Sequence, residues 1–126
     1  MGRLDEALPL CDEAISAGAK GLGTEDSTYG LLVHTRAEVL LALGEHARAL
    51  DDLELAISVY GMDNMNRNLA NACVQAAGAA GQLGRLDEAF AWLERARRGV
   101  GIDRQMLADS LYDALRDDPR FATYGG

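Results

Sequence analysis

His34 and Glu38 stand four residues apart, a spacing that puts both side chains on one face of a helix. An imidazole beside a carboxylate is half of a metal site. Zinc needs three or four ligands, however, and the second histidine, His46, falls beyond a glycine turn. No HExxH, CxxC or paired-carboxylate motif completes the set. The pair therefore reads as an ion-assisted hydrogen bond on a solvated face, with no metal. Cys11 and Cys73 lie far apart in sequence, with no adjacent basic residue to favour a thiolate. Both fall on core-facing positions, where a thiol behaves as a small hydrophobe. A disulfide between them requires Cα atoms within about 7 Å, which the sequence leaves open. Gly23, and the spaced Gly78, Gly81 and Gly84, follow no strand-like segment and precede no GK[ST], so a phosphate loop is excluded. Gly78 and Gly81 inside a helix instead suggest close contact, with a neighbouring helix or with a ligand. Arg95, Arg97, Arg98 and Arg104 form the one basic cluster. Two of them lie near a helix end, where positive charge complements the dipole; an acidic ligand is the functional alternative. No nucleophile, base and orienting group converge, so neither catalysis nor a cofactor is expected.

The elements that must position these residues are helices. The chain has 126 residues, 48% hydrophobic and 25% charged, enough for one domain with a modest core. Alanine occurs 21 times and proline twice, at Pro9 and Pro119, a composition that favours helix over a β-sandwich or barrel. No apolar run approaches the roughly 18–20 residues of a membrane span. The opening Met1-Gly2-Arg3-Leu4-Asp5-Glu6 is acidic and does not read as a secretory leader, so a cytoplasmic location with reduced thiols is expected. The net charge of −8 is uneven: residues 1–63 hold 4 basic and 12 acidic side chains, residues 64–126 hold 8 of each. Excess acid repels phosphate backbones, which argues against nucleic acid. With Lys20 as the sole lysine among 11 arginines, a polybasic membrane-binding tail is also unexpected.

Three segments align without gaps: Gly2-Arg3-Leu4-Asp5-Glu6-Ala7-Leu8, Gly44-Glu45-His46-Ala47-Arg48-Ala49-Leu50 and Gly84-Arg85-Leu86-Asp87-Glu88-Ala89-Phe90. The register continues through Cys11, Leu53 and Leu93, then Ala14, Ala56 and Ala96, with offsets of 42 and 40 residues. Small, large and small side chains at i, i+4 and i+7 share one helical face, and the alanines admit a neighbouring helix closely. Each leading glycine suits a tight turn between helices, where a positive φ costs little. The pattern predicts six helices, at about 3–18, 26–43, 45–60, 64–82, 85–98 and 104–116, with Asp26 or Ser27, Asp63 or Asn64, and Asp103 as caps. Residues 123–126 are expected to fray.

On these residues the chain resembles the tetratricopeptide repeat family. Its short signature is matched by Ala37, Gly44, Ala49 and Ala56 in one unit, and by Ala77, Gly84, Ala89 and Ala96 in the next. The spacing exceeds the usual length of about 34. It is similar to the longer variant of kinesin light chains and of bacterial multidomain kinases and regulators. The bulky aromatics usual in the first helix are replaced by Val33, Leu40, Cys73 and Ala80. The resemblance implies an all-α, right-handed solenoid of stacked antiparallel helical hairpins. It implies one domain over residues 1–126: a lone second helix at 1–18, repeats at 26–60 and 64–98, and a capping helix with tail at 103–121.

In this family the first helix of each pair lines a concave groove. The resemblance thus places Leu31, His34, Thr35 and Glu38 on that groove from one helix, and Arg67, Asn71, Val74, Gln75 and Gly78 from another. Such a mixture of amides and apolar patches suits a peptide or protein partner. Glu38 and Gly78 stand where a carboxylate-gripping member would carry asparagine or a cation. Residues 1–18 read as the second helix of a pair, so Leu4, Leu8 and Ile15 are expected to form an open edge: either the chain is a piece of a longer protein, or this is an oligomer edge that pairs with another copy. The expected function is a non-catalytic interaction module. The alternative is a regulatory or oligomerisation segment of a larger bacterial enzyme such as a protein kinase, and a small helical enzyme is the remaining reading.

Overall fold

The computed structural model describes residues 2–21, 27–62, 66–99, 102, 104–107 and 110–125. Five long helices follow in order: α1 (Gly2–Gly21), α2 (Ser27–Ala42), α3 (His46–Met62), α4 (Asn66–Gln82) and α5 (Leu86–Arg98). Each packs on the next: α1 on α2, α2 on α3, α3 on α4 and α4 on α5. Among the described residues there is no strand, and no helix is long and apolar enough to cross a membrane. The architecture is an all-α stack of antiparallel helical hairpins.

The small-large-small stripe is the seam of this stack. Ala49, Leu53, Ala56, Ala89, Leu93 and Ala96 are all buried, together with Val33, Ala37, Leu40, Cys73, Ala77 and Ala80 from the facing helices. Alanine at alternate contacts lets the helix axes approach, so the larger Leu53 and Leu93 fill the space between them. The two hairpin turns are built alike. Gly44 and Gly84 have φ of 80° and 79°. Glu45 N–H donates to the Leu40 carbonyl and Gly44 N–H to that of Leu41; Arg85 and Gly84 do the same to Ala80 and Gly81. This is a Schellman closure, and it needs a left-handed residue at the glycine position.

One side chain ties three helices together. Arg36 on α2 makes a two-pronged ion pair with Asp52 on α3, at 2.7 and 2.8 Å, and reaches Asp12 on α1 at 2.9 Å. Asp52 is buried, and its carboxylate, ahead of that of Asp12, raises the pKa of the Arg36 guanidinium.

The expected sixth helix is replaced by shorter pieces. Arg104–Leu107 and Ser110–Tyr112 are 3-10 turns, and α6 (Asp113–Arg116) is a single helical turn. Side chains occupy carbonyls that a continuous helix would use: Gln82 donates to Leu111 O and Arg116 to Leu107 O. After a 3-10 turn at Pro119–Phe121, the chain closes with α7 (Ala122–Gly125). Fraying is therefore not what the structure shows at residues 123–125. Tyr124 stacks on Phe90 of α5, and its hydroxyl donates to Glu94 at 2.9 Å. Arg120 lies over the Phe90 ring and pairs with Asp87 and Asp118. The expected caps Asp26, Asp63, Asn64 and Asp103 lie outside the described residues.

Candidate functional site

Side chains of α2 and α4 meet across α3. His34 Nδ1 lies 2.8 Å from the hydroxyl of the buried Tyr60, at the end of α3, and the two rings meet edge to face. His34 Nε2 lies 2.5 Å from Gln75 Oε1 on α4. Gln75 Nε2 in turn donates to Glu38 Oε2 at 3.2 Å. The expected His34–Glu38 pair is thus a relay through Gln75. With Nε2–H donating to Gln75, Nδ1 is left to accept from Tyr60. Burial, then the charge of Glu38, pushes the Tyr60 hydroxyl up to about 12.

This relay borders a cleft in two adjoining parts. One, of about 450 Å³, is lined by Glu38, Leu41, Ala42, Gln75, Gln105, Leu111 and Tyr112. The other, of about 230 Å³, is lined by His34, Glu38, Asn71, Val74, Gln75 and Tyr112. Glu38, Gln75 and Tyr112 belong to both and sit at the junction. One wall therefore comes from the C-terminal segment, which lies against α4.

The expected groove residues divide. His34, Glu38, Asn71, Val74 and Gln75 come together around the cleft. Val74 is only 1% exposed and offers a rim rather than an open patch. Leu31 is exposed, and Thr35 turns its hydroxyl back to the Leu31 carbonyl at 2.9 Å. Arg67 is exposed toward the start of α4, outside the cleft lining. Gly78 does not face an open groove. It is buried, and a Cβ built there would stand 2.5 Å from Leu111 and 2.9 Å from Tyr112. Gly81 meets Leu115 in the same way, at 2.8 Å. The glycine pair is a seat for the C-terminal segment, so the close neighbour it signals is a set of side chains. Leu41, Ala42, Gln105, Leu111 and Tyr112 complete the cleft without having been expected there. Tyr60 carried a signal that went unused, since it continues the Ala49–Leu53–Ala56 stripe by four residues.

The other candidates have structural partners. Cys11 and Cys73 are free thiols, and burial pushes Cys73 up to about 11, away from nucleophilic use at neutral pH. Arg97 and Arg98 pair with Glu94, and Arg95 lies over the Trp92 ring. The arginine contacts, then the Tyr124 hydroxyl, lower Glu94 to about 2. Among the described residues there is no group of three or more His, Cys, Asp or Glu placed to hold a metal. At the N-terminal edge, Ile15 is buried in the core and is not part of an exposed surface, because α1 turns it toward α2. Leu8 is half-buried, the Leu4 side chain lies outside those described, and Leu10 is the exposed one, at 65%.

No curated protein and no solved structure is significantly similar to the chain. A tetratricopeptide repeat family model matches residues 70–96, which run through most of α4, the Gly84 turn and α5 as far as Ala96. With that match falling on a glycine-closed hairpin sealed by buried alanines, the chain carries a tetratricopeptide repeat.

Proposed function

We propose that the chain is a non-catalytic interaction module that holds a peptide segment of a partner protein in the cleft between α2, α4 and the C-terminal segment. A tetratricopeptide repeat supports a protein-interaction role in general. The observation that carries the finer reading is the composition of the cleft. Asn71 is exposed, with a donor and an acceptor able to meet a peptide backbone. Gln75 and Glu38 are held in position by the relay, and Leu41 and Leu111 supply apolar contact beside them. Fixed polar groups next to apolar walls give both orientation and burial to an extended chain.

A photo-crosslinking residue at position 71 tests this against the same residue at position 54 on α3, well away from the cleft lining. In cell extract, the expected result is partner peptides joined at position 71 and absent at position 54. Equal labelling at both positions removes the cleft as the binding site.

A further inference from the structure

Building on the cleft reading above, we propose that the bound peptide presents an arginine or lysine side chain to the cleft, with Glu38 as its counter-charge. Glu38 is exposed at the junction of the two parts of the cleft. The hydrogen bond it accepts comes from a neutral donor, Gln75, at the long end of the range. No arginine or lysine among the described residues lies within ion-pair distance of it. Elsewhere Arg36, Arg85, Arg97, Arg98, Arg116 and Arg120 are used internally, on Asp12, Asp52, Asp87, Glu88, Glu94, Asp113 and Asp118. Arg67 is on the same stripe of α4 as Gln75 but two turns away, about 12 Å along the helix.

Among the described lining residues Glu38 carries the one fixed formal charge, and no described cation pairs with it. Leu41 and Leu111 stand near it and can cover the methylene stem of a long basic side chain while the charged head reaches the carboxylate. An acidic side chain or a bare C-terminal carboxylate would instead meet Glu38 with repulsion. The acidic excess in residues 1–63 acts in the same sense by steering a cationic segment toward this half of the molecule.

The test uses a library of N-acetylated, C-amidated hexapeptides, which removes terminal charges, captured on the immobilised full chain and sequenced. Glu38→Gln, Asn71→Ala and the remote control Glu54→Gln are run in parallel, each checked for helicity by circular dichroism. The expected result is arginine or lysine enrichment at one position on the wild type and on Glu54→Gln, lost on Glu38→Gln. A peptide made from that pool should bind Glu38→Gln about tenfold more weakly. Three results overturn the counter-charge: enrichment of acidic residues, basic enrichment that survives Glu38→Gln, or equal loss on Glu54→Gln. In those cases, capture that still depends on Asn71 keeps the cleft reading. Capture indifferent to both Asn71 and Glu38 removes the two together.

Discussion

Arg36 shows how one polar residue is tolerated on a packed helical face. Its guanidinium satisfies two carboxylates from different helices, and the fork geometry on Asp52 recovers much of the cost of partial burial. Truncating the acid alone leaves the cation without its main partner. Asp52→Ala should therefore lower stability by about 2 kcal/mol, between the values for exposed and buried pairs, because Arg36 keeps some water. Urea denaturation checks this. Tyr60 gives a second prediction at this scale. Its folded pKa of about 12 exceeds the ordinary phenol value of about 10. The neutral buried phenol contributes stability that is full below about pH 10 and is lost as pH rises toward 12. Tyr60→Phe should flatten that alkaline fall, as followed by circular dichroism. The phenolate absorbance of the wild type should show a late-titrating component that Tyr60→Phe removes. Glu94 acts in the opposite sense. Its carboxylate, lowered to about 2, holds Tyr124 at neutral pH and loosens as pH falls from about 4 toward 2.

At the scale of elements, the hairpin turn is where the backbone sets a sharp demand. Gly84→Ala places a Cβ on a residue at φ 79° and should cost about 1–2 kcal/mol, with thermal unfolding as the measure. Gly78→Ala tests a different thing. The added Cβ falls 2.5 Å from Leu111, so the C-terminal segment must shift. The expected loss is about 1–3 kcal/mol, with faster hydrogen exchange over residues 110–116 and little change in α2 and α3. The long helices and the alanine seam were legible in the sequence, because a repeated small-large-small stripe after glycine has few structural solutions. The sixth element was not. Leu107, Leu111 and Leu115 have helical spacing, but Gln82 of α4 and the segment's own Arg116 compete for its carbonyls, and such side-chain competition is invisible in local periodicity. The cleft was half legible for the same reason. Residues on α2 and α4 follow from the repeat register, whereas Leu111 and Tyr112 arrive through a contact distant in sequence. Ile15 was misplaced because periodicity alone does not say which side of α1 its neighbour occupies.

For the whole molecule, stability is shared between neighbours along the stack. Each long helix packs mainly on those before and after it, so the interior members are held from two sides and α1 from one. Pro9 weakens α1 further, since it lacks an amide donor inside the helix. Amides of residues 10–18 should therefore exchange faster than those of α3 and α4 in a native-state experiment; equal protection would indicate a single cooperative unit.

The glycine seat on α4 has a consequence for engineering. A further hairpin spliced after α5 and packed on this strip of α4 would have to compete with Leu111, Tyr112 and Leu115 for it. Grafted hairpins at this side would displace that plug and dismantle a wall of the cleft in the same act. Lengthening the array here and keeping its recognition chemistry intact are therefore incompatible design goals.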